Sequence, residues 1–111
     1  MNKQPDFIAE LQYLTTEQGG RKTPAFSGYR PQVKFAFSNN QTSGQQRFIN
    51  KETVCPGDKV LAEIAIISTD FLIDKLEIGL GFDFREGPRV IGTGIITEIL
   101  NPVLQKGESP R

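Results

Sequence analysis

The sequence predicts an all-β fold, a small antiparallel β-barrel, and three observations carry that reading. Apolar residues recur at every second position through most of the chain. Glycine, proline, asparagine and aspartate punctuate the intervals between these runs. No segment shows a convincing helical period.

The elements follow in order. Phe7, Ala9, Leu11 and Tyr13 fall on one side of a first strand. Val33, Phe35 and Phe37 do the same with Lys34 between them. A weaker strand is expected from Gln46 to Asn50. From Val60 to Ile67 nearly every residue is apolar, which predicts a strand covered on both sides. Leu76, Ile78, Leu80, Phe82 and Phe84 alternate with Glu77, Gly79, Gly81 and Asp83, the cleanest half-buried pattern in the chain. Val90 to Leu100 is rich in Ile, Val and Thr, with Gly92 and Gly94 where bending or close packing needs no side chain. Asn39-Asn40, Ser43-Gly44, Pro56-Gly57-Asp58 and Gly87-Pro88 supply the turns. Roughly six strands of this kind must close on themselves or pair two sheets to hide their edges. Residues 1–6 and 101–111 read as flexible termini around a domain spanning 7–100.

A chain of 111 residues is one domain's worth. Thirteen Lys and Arg balance thirteen Asp and Glu, which argues against bulk attraction to nucleic acid or an anionic membrane. The zero sum hides an asymmetry. No acid stands between Glu17 and Glu52, where Arg21, Lys22, Arg30, Lys34, Arg47 and Lys51 all fall. A fold that gathers this stretch has a positive face. The single Cys55 excludes an internal disulfide, fits a reducing compartment and is expected to pack as a small apolar residue. Without histidine, imidazole catalysis and the usual zinc sets are excluded, and no cofactor or metal is expected. No apolar run is long enough to span a bilayer and the opening is polar, so a cytoplasmic protein without membrane contact is expected.

The stretch from Gly19 to Gln32 carries most functional information. Its glycines and prolines fix a loop, and Arg21, Lys22 and Arg30 stand in it with no acidic neighbour. One reading is a cation-presenting surface. The plainer reading is a structural turn whose Phe26 and Tyr29 fold onto the barrel while Arg21 and Arg30 pair with acids of the second half.

Gly19-Gly20-Arg21-Lys22-Thr23-Pro24, Gly28-Tyr29-Arg30-Pro31-Gln32, Pro56-Gly57-Asp58, Arg85-Glu86-Gly87 and Gly92-Thr93-Gly94 together resemble the third, C-terminal domain of elongation factor Tu, in that family's order. The resemblance runs from about Phe7 to Leu100. It implies a six-stranded antiparallel Greek-key barrel, in agreement with the alternation. It also implies a module that contacts the T-stem backbone of aminoacyl-tRNA or a translation-factor partner. The matching positions are Arg21, Gln32, Glu86 and Gly87, with Lys22 where the family has histidine, and Thr42 or Ser43 near its contacting threonine. Such a set suits RNA: cations neutralise phosphates, Gln and hydroxyls reach sugar and phosphate oxygens, and Glu86 can accept from a ribose 2′-hydroxyl.

Departures from the family pattern are equally legible. Ala36 stands where the family usually has arginine, Pro88 replaces a glycine and removes a backbone donor, and the segment from Ser68 to Asp83 is lengthened. The phosphate-cradling Gly-x-x-x-x-Gly-Lys-Ser/Thr loop is absent, so neither nucleotide binding nor GTPase activity is expected. The start at Met1 favours a separate gene product. Two function classes remain: a non-catalytic module binding tRNA or a translation-factor partner, and a protein-interaction module that mimics or decoys elongation factor Tu. For the second, Phe71, Leu72 and Ile73 in the lengthened segment are the candidate partner patch, with burial against the barrel as the alternative. No constellation supports an enzyme.

Overall fold

The computed structural model describes residues 4–107. Its strands are β1 (Phe7–Tyr13), β2 (Ala25–Phe26), β3 (Gln32–Phe35), β4 (Gln41–Phe48), β5 (Thr53–Val54), β6 (Lys59–Ile66), β7 (Gly81–Glu86) and β8 (Arg89–Ile99). Six of them close a barrel in the order β1-β6-β4-β3-β7-β8, every neighbouring pair antiparallel, with β8 returning to β1. Around the wall β3, β4 and β6 follow one another and β1 lies beside β6, a Greek-key order. Closure leaves no barrel strand with an open edge. The short β2 and β5 pair separately as a ribbon.

Alternation explains which side chains fill the barrel. Phe7, Ala9, Leu11 and Tyr13 are fully buried while Ile8, Glu10 and Gln12 face outward. The interior has two aromatic layers. Phe7, Phe35 and Phe82 meet with centroids 5.3–6.3 Å apart, and Tyr13 packs edge-on to Phe84 at 5.0 Å and to Phe48 at 6.3 Å. Gly92 and Gly94 make room for these rings: a Cβ at either position would lie 2.2 or 2.3 Å from Cζ of Phe84 or Phe82. The Tyr13 hydroxyl donates to Oε1 of Gln46, a fully buried amide whose Nε2 has no partner.

Strand directions give the barrel two distinct ends. Loops 14–31 and 49–58 and the β7–β8 turn gather at one, hereafter the near end. Loops 36–40 and 67–80, residues 4–6 and residues 100–107 gather at the other, the far end.

Several expectations change. The third strand stops at Phe35, and Phe37 stacks on it from outside at 5.5 Å. The strand expected at 46–50 begins at Gln41. Its buried positions are Thr42, Gly44, Gln46 and Phe48, so polar inward residues hide the pattern. β6 is one-sided at its start, with Leu61 exposed, and is covered on both faces only from Ile64 to Ile66. The alternation from Leu76 to Phe84 overstates its strand: β7 begins at Gly81, and Ile78 is exposed. The one helical element described is a single 3-10 turn, Asp70–Leu72. Cys55 is exposed rather than packed, at the turn that Asp58 caps by accepting from its amide at 3.0 Å.

The regions read as termini are partly built in. Asp6 is buried; its carboxylate accepts from the Ile66 amide at 2.7 Å and the Asn101 side chain at 2.9 Å. Its carbonyl accepts from the amides of Leu100 and Asn101. Residues 101–107 then dock on the lengthened segment. The Leu104 carbonyl accepts from Lys75 and Leu76, the Lys106 amide donates to Leu76, and Leu104 is fully buried. Residues 1–3 and 108–111 of those termini lie outside the described residues. No helix among the described residues is long and apolar enough to cross a membrane.

Candidate functional site

The basic loop is held by its own backbone before any side chain acts. Gly20 donates to Thr15 at 2.9 Å, and a Cβ there would lie 2.4 Å from the Leu14 carbonyl oxygen, so only glycine fits. Gly28 has φ +100°, a left-handed conformation that costs glycine little, and its amide reaches Gln46 at 2.7 Å. Ser27 donates to Glu52 at 2.8 Å, and the β2–β5 ribbon ties the loop to residues 52–54.

Arg21 curls inside this frame. Its Nε donates to the Thr23 carbonyl, and its Nη2 to the Thr23 hydroxyl and the Pro24 carbonyl, each at 3.2 Å. Its Nη1 donates to Oε2 of Glu86, and the guanidinium carbon sits 4.6 Å from the centre of the Tyr29 ring. The Tyr29 hydroxyl donates to the same Glu86 oxygen, while Arg89 approaches the other at 3.6 Å. Burial alone would raise the Glu86 pKa. Hydrogen bonds from Tyr29 and Arg21 and the charges of Arg21 and Arg89 outweigh it, so the carboxyl is held below its usual value. The Tyr29 hydroxyl is pushed upward, by burial first and then by its bond to Glu86. Burial opposes the charge on Arg21, yet Tyr29 and Glu86 raise its pKa further.

Beside this latch runs a row across three strands. Ser43 on β4, Gln32 on β3 and Arg85 on β7 are register neighbours, and Gln32 Nε2 donates to the Ser43 hydroxyl at 3.1 Å. Arg85 forks onto Asp83 at 2.8 and 3.1 Å. Gly87, φ +59°, sits exposed in the turn between β7 and β8, with open space where a Cβ would stand.

Arg21, Gln32, Glu86 and Gly87 therefore share the near end, and Lys22 stands exposed beside Arg21. Thr42 does not join them. It pairs with Val33, faces inward and accepts from the Ser68 amide at 3.3 Å. Successive residues on a strand face opposite ways, so Ser43 holds the outward position. The candidate patch divides: Leu72 is fully buried, Phe71 is half-buried against the core, and Ile73 is exposed, all at the far end. The positive face is also thinner than the charge asymmetry implies. Arg21 pairs with Glu86 and Arg47 with Glu63 at 3.2 Å, which leaves Lys22, Arg30 and Lys51 exposed at the near end.

Sequence reasoning missed the Tyr29–Glu86 contact. Tyr29 and Glu86 are 57 residues apart, and no local pattern joins them. It also missed Phe26, which projects into solvent from the ribbon instead of folding onto the barrel. The arrangement offers cations, an amide, a hydroxyl and an ionised carboxylate along one rim, a set that can hold a charged, hydroxyl-rich ligand. Among the described residues no group of three or more Cys, Asp or Glu side chains is placed to hold a metal ion. Closed topology and rim motifs agree with one comparison: the family model of the elongation factor Tu C-terminal domain matches residues 1–100. With the match covering nearly the whole of its 111 residues, the chain belongs to the elongation factor Tu C-terminal domain family.

Proposed function

We propose that this translation-factor-type domain is a non-catalytic module that holds the sugar-phosphate backbone of a tRNA stem at its near end. One observation carries the reading: Arg21, Gln32, Glu86 and Gly87, scattered between positions 21 and 87 of the sequence, converge on a single rim with Lys22 exposed beside them. Family membership supports a translation-related partner in general. In this reading Lys22 is the direct phosphate contact, because it is exposed while each guanidinium nitrogen of Arg21 already donates within the protein. Arg21 instead holds Glu86 in place, with its carboxylate kept ionised as an acceptor for a ribose hydroxyl.

A handful of phosphate contacts gives affinity in the non-specific range, with strong salt dependence. The test is a filter-binding titration of aminoacyl-tRNA at several low salt concentrations. Lys22→Ala should weaken binding at every salt and reduce the slope of log K against log salt by about 1. Failure of the unmodified domain to bind, or an unchanged slope in the variant, would reject the proposal.

A further inference from the structure

Apolar exposure is not spread evenly over this molecule. Nine large hydrophobic side chains are exposed among the described residues, and six of them, Phe37, Ile67, Ile73, Ile78, Leu100 and Val103, lie at the far end. These are built-in positions. The Asp74 amide donates to the Val103 carbonyl at 3.1 Å, which sets Ile73 beside Val103, and Leu72, Leu76 and Leu104 are buried beneath them. Two clefts open at the same end. One, of about 390 Å³, is lined by Phe37, Leu80, Asp74, Lys75, Glu77 and Lys106 with Gly107. The other, of about 470 Å³, is lined by Leu100, Pro102, Thr69 and residues 4–6 with Asn101. Exposed apolar side chains gathered at one end beside two clefts have the form of a protein contact site rather than scattered surface apolarity.

Charge decides what covers it. Among the described residues, the far-end loops and the last residues of β8 expose Asp70, Asp74, Glu77 and Glu98 against Lys75 and Lys106, the latter 4.0 Å from Glu77. An excess of carboxylates disfavours nucleic acid and anionic lipid alike. A second copy docking far end to far end would set acids against acids. Near end against far end would give a head-to-tail ring or filament rather than a closed dimer. We infer that the far end docks a different polypeptide, one presenting aliphatic side chains flanked by Lys or Arg. This surface lies at the opposite end of the barrel from Lys22, so the module would bridge two ligands.

The experiment is a titration of the isotope-labelled protein followed by amide chemical shifts. The probe is a synthetic amphipathic peptide with Leu along one face and Lys on both flanks; a counterpart carries Glu at every Lys position. The Lys peptide should move the resonances of Phe37, Ile73, Val103 and their neighbours. The Glu peptide should bind at least about tenfold more weakly. Ile73→Asn and Val103→Asn, both exposed in the parent, should each weaken the Lys peptide about tenfold while leaving the remaining spectrum in place. Lys22→Ala should not change it, which keeps this result separate from the RNA reading. The inference is overturned if the Lys peptide moves no far-end resonance or if the two peptides bind equally. It is also overturned if those resonances shift instead with protein concentration, with an RNA stem or with anionic vesicles.

Discussion

Replacing Leu104 by Ala tests the docking of residues 101–107 most directly, because by its composition that stretch belongs to a loose terminus. Leu104 is fully buried with Leu72 and Leu76, and its carbonyl bonds to Lys75 and Leu76 are backbone contacts that the substitution leaves in place. The change removes three carbon groups, which at ~0.8 kcal/mol each amounts to about 2.4 kcal/mol of lost transfer energy. A residual cavity adds to this, and Leu→Ala changes in cores span about 2–5 kcal/mol. The site lies at a barrel mouth, where neighbours relax more easily than in the centre, so a loss of about 3 kcal/mol is expected. That is a large part of the ~5–15 kcal/mol that holds a domain of this size together. Urea unfolding followed by far-ultraviolet circular dichroism suits a chain without Trp. The midpoint should fall by on the order of 1–2 M with little change in slope. Val103→Ala is the control, since its side chain is exposed and its effect should stay within about 0.5 kcal/mol. Equal stability of the two variants would refute the docked arrangement and return residues 101–107 to a loose tail.

Three further outcomes are expected. Gly92→Ala should destabilise by at least about 1–3 kcal/mol in the same assay, because its Cβ would overlap the Phe84 ring at 2.2 Å; a neutral result would mean that ring is not where it is described. Tyr13→Phe should cost about 1–3 kcal/mol, since it strips the buried Gln46 side chain of its hydrogen-bond partner, and in Gln46→Leu the loss on adding Tyr13→Phe should be smaller. Glu86 has a folded pKa below its unfolded value, so its contribution is present above the ordinary carboxylate value of about 4.3 and is lost as pH falls through the depressed one. Thermal unfolding of Glu86→Gln across that window should vary less with pH than the parent; identical profiles would show that the Arg21–Tyr29–Glu86 contact has no energetic weight.

Legibility in the sequence followed the source of each signal. β1 was readable from Phe7 to Tyr13 because its inward residues are apolar and its outward ones polar. β4 was not, because Thr42, Gly44 and Gln46 fill inward positions that a hydrophobic pattern cannot detect. Ile78 failed in the opposite sense, an apolar residue in perfect alternation that ends in solvent. Arg21, Gln32, Glu86 and Gly87 were legible as motif positions, whereas the inward turn of Thr42 depended on the register between β3 and β4.

By itself the chain of residues determined the all-β class, the closure that unpaired edges demand, and the family to which the domain belongs, since alternation, turn chemistry and motif order are local properties. Tertiary structure alone decided that Arg21 is engaged by Glu86 and Tyr29, that Leu104 seals the far mouth, and that cationic and apolar surfaces stand at opposite ends. The reason is physical: such contacts join residues tens of positions apart, and their energies depend on burial and approach that exist only once the barrel has closed.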